Sequence, residues 1–177
     1  ARWHWGDKEW SPFSAAEMDY RQGALRDHLA AEGIDACLLT SYHNICYYSG
    51  WVFCYFGRKY GMVVDGENAT TISAGIDGGQ PWRRTYGDNL VYSDWRRDNY
   101  YQAVRDLTGG ASRLGVELDH LSVDQFRSLE AALPGVELVD IGSATMWMRT
   151  VKSAEEHDLI RHGARICDLG AKACVDA

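Results

Sequence analysis

Three serine-led capping boxes partition this chain. They are Ser14-Ala15-Ala16-Glu17, Ser122-Val123-Asp124-Gln125 and Ser153-Ala154-Glu155-Glu156. In such a box the serine oxygen accepts the backbone N–H three residues on. The acidic or amide side chain returns to the serine's own N–H, so two otherwise unpaired donors are satisfied. Three helices therefore have defined starts, and the residues between them must supply whatever those helices pack against. The first box opens a stripe of Met18, Leu25 and Leu29, spaced seven and four apart on one helical face. Gly33 stops it, and Ile34 to Thr40 follows as a short apolar run that reads as a buried strand.

The remaining segments alternate in the same way. Ser41 to Gly50 is polar and aromatic, a helical turn or short helix, with His43 expected to bond the backbone of a turn. Gly61–Val64 and Ala69–Ser73 flank Asp65-Gly66-Glu67-Asn68, which predicts a hairpin. Ile76 to Asn89 carries Gly78-Gly79, Pro81 and Gly87 and reads as loop, and Leu90–Tyr92 as a strand. Asp98 to Leu107 has Tyr101, Val104 and Leu107 at three-residue steps and predicts a helix ending at Gly109-Gly110. Leu114–Leu118 is the next strand, Phe126, Leu129 and Leu133 continue the second capped helix, and Val136–Ile141 is a strand after Pro134-Gly135. Ile141–Met148 reads as a short helix. The expected fold class is α/β, a mixed sheet of about five strands flanked by helices. A domain boundary is expected near Thr150 to Ser153, giving one α/β domain over 1–150 and, over 151–177, the opening helix of a second. That helix carries Leu159, Ile160, Ile166, Leu169 and Ala173.

Composition narrows the function classes. Lys and Arg total 18 against 25 Asp and Glu in 177 residues, a net charge of −7. A duplex binder needs a basic face to neutralise phosphates, so nucleic acid is not an expected partner. No run of apolar residues is long enough to span a bilayer, and residues 1–10 carry Asp7, Lys8 and Glu9 instead of the apolar core of a secretory leader. Five cysteines without CxxC spacing point to reduced thiols and a cytoplasmic location.

Few residue sets carry chemistry. Cys167 and Cys174 share a helical face and are expected to pack into a core, while His157 and His162, five apart, do not form a zinc pair. No metal site and no cofactor is expected. Asp77-Gly78-Gly79-Gln80-Pro81 lacks the Lys-Ser/Thr of a phosphate loop and reads as a tight structural loop. Cys37, Cys46 or Cys54 could be paired with His43, but no spacing supports a Cys–His nucleophile. Positive charge gathers beside aromatics at Arg58-Lys59, Arg83-Arg84 and Arg96-Arg97. The last two pairs are expected to meet acids such as Asp88, Asp94 and Asp98. Arg58 differs, because it lies in Cys54-Tyr55-Phe56-Gly57-Arg58 between Gly57 and Gly61. An arginine there can fork a carboxylate while the ring of Phe56 covers the ligand's apolar side.

These runs also carry a family resemblance. Ser41-Tyr42-His43-Asn44-Ile45, Tyr47-Tyr48-Ser49-Gly50 and Cys54-Tyr55-Phe56-Gly57-Arg58-Lys59-Tyr60-Gly61 resemble the N-terminal domain of the creatinases (creatine amidinohydrolases). So do the runs from Ile72 to Arg84 and from Tyr92 to Asn99. Met146 to Glu156 resembles the hinge shared with the wider prolidase and aminopeptidase P group. The resemblance implies hydrolysis of creatine to sarcosine and urea by a metal-free homodimer, with a pita-bread catalytic domain following this one. The catalytic histidine and glutamates are then expected beyond Ala177, none lies in this chain, and the fragment alone is expected to be inactive. By motif match, Phe56 and Arg58 bind substrate in the partner subunit's active site, Arg58 on the carboxylate, with Cys54 near the site. Two alternatives stay open: a prolidase- or aminopeptidase P-like metallohydrolase, and a noncatalytic dimerisation or interaction domain.

Overall fold

A four-residue strand, Ala36–Leu39, sits at the centre of the architecture because both of its faces are apolar: Ala36 and Leu38 point one way, Cys37 and Leu39 the other, and all four are buried. A strand with two apolar faces needs cover on both sides, which a three-layer α/β/α arrangement supplies. The computed structural model describes residues 1–10, 12–55, 57–93 and 99–176. In chain order the elements are α1 (Ala15–Ala31), β1 (Ala36–Leu39), α2 (Tyr42–Ser49), β2 (Gly61–Asp65), β3 (Ala69–Ala74), a 3-10 turn (Gly75–Asp77), α3 (Gln80–Arg84), β4 (Asp88–Tyr92), α4 (Asn99–Leu107), β5 (Arg113–Val116), α5 (Val123–Ala132), β6 (Glu137–Asp140), α6 (Gly142–Met148) and α7 (Ala154–Asp176).

The sheet has six strands in the order β4-β3-β2-β1-β5-β6, one more than the expected five. β1 pairs antiparallel with β2 and parallel with β5; β2 and β3 form the expected hairpin, and β3·β4 and β5·β6 are parallel. Asp65 closes the hairpin by accepting the N–H groups of Glu67 and Asn68 at 2.8 and 2.6 Å. Leu25, Leu29, Ile45, Tyr48 and Trp51 cover one face of the sheet, while Tyr100, Val104, Leu129 and Leu133 cover the other.

Four local expectations change. The segment read as loop after Ile76 contains the five-residue helix α3, with Pro81 in its first turn, where a missing N–H costs nothing. His43 stands exposed in the first turn of α2, because Ser41 caps a full helix there. Arg83 meets Glu9 at 2.9 Å instead of an acid of its own neighbourhood, and Asp88 is taken by Arg2 and His4. The cause is the segment before α1, which runs back along β4: Ala1 and Val91 exchange backbone hydrogen bonds, and the Lys8 ammonium lies over the Trp82 ring while donating to Thr85 and Gly87. Cys167 and Cys174 are exposed, because no residue of α7 is buried against a described element. Arg96, Arg97, Asp94 and Asp98 lie outside the described residues.

The first capping box is completed by a different partner. Ser14 Oγ accepts the Glu17 N–H, but the Ser14 N–H donates to Glu155 of α7 at 2.9 Å, while Glu17 turns to Arg21 at 2.8 Å. Arg21 is buried between the rings of Phe13 and Tyr47 and also faces Glu156 at 3.6 Å. The second and third boxes form as read, with both reciprocal bonds made.

Glu117, just past the end of β5, is 2% exposed and gathers the opening of α2. It accepts the N–H groups of Thr40 and Ser41, the Ser41 hydroxyl at 2.6 Å and the Asn44 amide at 2.5 Å; Asn44 in turn donates to Thr145 of α6 at 3.0 Å. Glu117→Gln places an amide N–H₂ among donors, and an unpaired buried group of this kind costs on the order of 2–4 kcal/mol. Urea denaturation of the purified protein is expected to show that loss, and an unchanged midpoint would rule the network out as a structural hub.

Candidate functional site

Arg58 lies in the segment from Trp51 to Tyr60, which joins α2 to β2 and is held at both ends. At its start, Gly50 adopts a left-handed conformation (φ +72°) that ends α2, the Trp51 N–H donates to Ser49 Oγ at 3.1 Å, and the Cys46 thiol donates to the Trp51 carbonyl at 3.2 Å. At its end, two tyrosines from across the sheet seize the backbone: Tyr92 of β4 donates to the Lys59 carbonyl at 2.9 Å and Tyr100 of α4 to the Tyr60 carbonyl at 3.1 Å. Between the ends, Trp51, Phe53 and Tyr60 form a triangle of rings with centroids 4.5, 4.6 and 5.6 Å apart, and Tyr42 adds a fourth ring 5.0 Å from Phe53. Ring pairs of this geometry add roughly 0.5–1.5 kcal/mol each beyond simple burial, so the base of the loop is rigid.

The two glycines flanking Arg58 do different work. Gly57 has φ +74°, the left-handed region that side chains avoid, and it turns the chain directly before Arg58. Gly61 is required for space: a Cβ there would stand 2.5 Å from the Tyr100 hydroxyl oxygen and 3.1 Å from Leu38 Cδ1.

Arg58 is half-buried and makes no ion pair among the described residues, whereas Arg21 has two and Arg83 and Arg113 one each. Its charge nonetheless reaches Tyr60, Asp77 and Tyr92, lowering the proton affinity of each. Tyr60 donates to Asp77 Oδ1 at 3.4 Å. Burial, with the Asp77 charge beside it, pushes the Tyr60 hydroxyl up to about 12, and burial raises the Asp77 carboxyl above the usual carboxylate range. Cys54 is exposed on the same loop, four residues before Arg58. Phe56, the other residue expected to bind substrate, lies outside the described residues.

The sequence reading missed Asp77, Tyr92 and Tyr100 as parts of this site. Asp77 and Tyr92 lie in the same motif runs and Tyr100 directly follows one, but nothing in the spacing says that β3, β4 and α4 converge on the loop. The Cys–His combinations have no support in the thiols' surroundings: Cys37 is buried on β1, its thiol pushed up to about 12 by desolvation, and burial also raises Cys46. Among the described residues no cluster of His, Cys, Asp and Glu could hold a metal ion, and no helix is long and apolar enough to cross a membrane.

The mixed six-stranded sheet, its flanking helices and this loop define an α/β domain of the creatinase and prolidase type. The chain belongs to that family: residues 21–151 match the Creatinase/Prolidase N-terminal domain. It is 49% identical over 97% of its length to a creatinase of Bacillus sp. (strain B-0618), and it spans 43% of that protein's length. Among solved structures it resembles the prolidase from Pyrococcus horikoshii OT3, with TM-score 0.73, 20% identity and coverage of 89% of this chain and 43% of that one. It also resembles the isolated Creatinase/Prolidase N-terminal domain of an X-Pro dipeptidase from Streptococcus pyogenes, with TM-score 0.63, 16% identity and coverage of 76% and 99%. At those identities the two structures speak to the fold alone.

Gly61→Ala is expected to push the Tyr100 hydroxyl off the loop and to cost about 1–3 kcal/mol, the usual range for overpacking. Thermal unfolding followed by circular dichroism measures it; an unshifted midpoint would contradict the close packing of loop and α4.

Proposed function

We propose that this chain is the N-terminal part of a creatine amidinohydrolase, an enzyme that hydrolyses creatine to sarcosine and urea. The observation that carries the reading is the 49% identity with a creatinase across 97% of the chain. The likeness to prolidases, at 20% identity or below, supports no competing activity.

The geometry supports a definite role for the domain. Arg58 is a half-buried guanidinium with no ion-pair partner among the described residues, on a loop whose backbone is fixed at both ends. A forked guanidinium recognises a carboxylate bidentately, and creatine carries one at the end opposite its reacting guanidino carbon. The cavity behind the loop, between Tyr55, Tyr60, Tyr100 and Leu38, holds about 20 Å³, room for a single water. Arg58 does not line that cavity, so in our reading a substrate bound by Arg58 lies outside it and needs a second surface to enclose it. In our reading the catalytic domain of a partner subunit in a homodimer is that surface, and Phe56 covers the ligand's apolar side there. The catalytic groups belong to that other domain, α7 is its opening helix, and the boundary falls near Thr150 to Ser153. The five free thiols fit a cytoplasmic enzyme.

A charge-assisted bidentate contact is worth about 1.5–3 kcal/mol. Arg58→Ala in the full-length enzyme is thus expected to raise KM for creatine roughly 10- to 100-fold with a smaller effect on kcat, measured by urea release. Unchanged creatine kinetics in that variant would remove Arg58 from the site, and no urea release from the wild-type protein would refute the activity itself.

A further inference from the structure

Where α1, α2 and the hinge between α6 and α7 meet, a cavity of about 310 Å³ opens beside the buried Arg21. That volume is at the lower end of the range for small-molecule sites. Its walls include the apolar side chains of Phe13, Tyr42, Tyr47 and Val52, and the charged ones of Arg21, Arg149, Lys152 and Glu156. Arg58 is not among them.

Arg21 is 1% exposed. Its guanidinium carbon lies 3.8 and 4.2 Å from the ring centroids of Phe13 and Tyr47. Nε donates to Glu17 at 2.8 Å and Nη1 to the Tyr47 carbonyl at 3.1 Å. Nη2 is buried and has no hydrogen-bond acceptor; Glu156 Oε1 stands 3.6 Å away, within ion-pair reach but too far for a hydrogen bond. The other oxygen of Glu156 is committed to the Ser153 N–H at 2.9 Å. Arg149 repeats the pattern from the hinge side. It is half-buried, makes no ion pair among the described residues, and its Nε is buried without an acceptor. Lys152 adds a third cation, its ammonium donating to the Arg149 and Thr150 carbonyls at 2.7 and 3.2 Å. Two buried guanidinium nitrogens without acceptors thus belong to the walls of one cavity. Buried charged donors are costly to leave unpaired, and an oxyanion supplies what both lack.

We propose that this cavity binds a small organic carboxylate, its oxygens taken by Arg21 and Arg149 and its apolar body lying against Phe13, Tyr42, Tyr47 and Val52. Guanidinium groups fork carboxylate and phosphate alike. The aromatic and aliphatic walls, with the Glu156 carboxylate beside Arg21, favour a singly charged ion with an apolar body over a doubly charged, strongly hydrated one. Because the walls come from α1, α2 and the hinge, an occupant ties the hinge to the α/β domain.

The test is a ligand-observed NMR titration of the full-length enzyme at neutral pH with 3-phenylpropionate, its neutral analogue 3-phenylpropanamide, and inorganic phosphate. The carboxylate is expected to bind saturably with Kd of about 1 mM or tighter, the scale for a ligand this small. The amide and phosphate are expected to bind at least about tenfold more weakly. Arg149→Met keeps the aliphatic stem and removes the fork, and is expected to weaken the carboxylate about tenfold. Lys152→Met, an exposed change that serves if Arg149→Met folds poorly, is expected to weaken it about threefold. Arg58→Ala is expected to leave this affinity unchanged, which separates the cavity from the carboxylate contact proposed for Arg58. No saturable binding, equal binding of the amide, tighter binding of phosphate, or an affinity lost with Arg58→Ala and kept in both hinge variants would each overturn the proposal.

Discussion

The placement of the candidate loop depends on one buried carboxylate. Glu117 stands where β5 ends beside β1, two parallel strands at the centre of the sheet, and receives the N–H groups of Thr40 and Ser41 together with the side chains of Ser41 and Asn44. These are the unpaired donors at the opening of α2, the end of a helix where a negative charge is favoured. Through Asn44 and Thr145 the same charge reaches α6. A buried ion is tolerable only when its lone pairs are filled, so β1, α2, β5 and α6 must all be in register for Glu117 to be satisfied. Helix α2 is then fixed in direction, and the loop that leaves its C-terminus at Gly50 starts from a fixed point.

The far end of that loop is set by packing instead of charge. Tyr92 and Tyr100 come from β4 and α4, on the side of the sheet opposite α1 and α2, and each spends its hydroxyl on a loop carbonyl while its ring lies in the core. The close approach of Tyr100 is possible only because residue 61 is glycine. A cation on a flexible loop loses much of its binding energy to ordering; one on a backbone already ordered by two hydrogen bonds and three packed rings does not. Of the basic-aromatic groups, Arg83 and Arg84 serve the segment before α1 and keep it against β4, with Arg83 paired to Glu9 and Arg84 donating to the Glu9 carbonyl. Arg58 has no such partner among the described residues.

What was legible in the sequence was local. Strand positions followed from apolar runs bounded by Gly, and α1, α5 and α7 from serine boxes, of which those of α5 and α7 are complete within four residues. Helix α3 was missed because Gly78, Gly79 and Pro81 are punctuation in a sequence, although proline in the first turn of a helix loses no bond. The run along β4 was missed because Ala1–Trp10 has no period of its own: its order comes from Asp88, Trp82 and the β4 edge, all distant in the chain. Glu155 replacing Glu17 at Ser14 is the same lesson, a local motif re-partnered by an element some 140 residues away. At the candidate site, Arg58 was readable from its glycines and its motif. Asp77 meets the loop at Tyr60, Tyr92 and Tyr100 hold its backbone, and no spacing rule brings β3, β4 and α4 to one loop.

The central claim is that this domain presents Arg58 to a substrate held by a partner subunit. It is tested most directly by mixing subunits of the full-length enzyme: one carrying Arg58→Ala, the other with an intact Arg58 but a disabled catalytic domain. Each parent dimer is impaired in urea release from creatine. If Arg58 acts across the interface, the mixed dimer contains one site with an intact catalytic domain and an intact arginine, and wild-type KM returns at that site. If the mixture shows no activity beyond that of the two parents, Arg58 does not serve the partner's site and the account is contradicted.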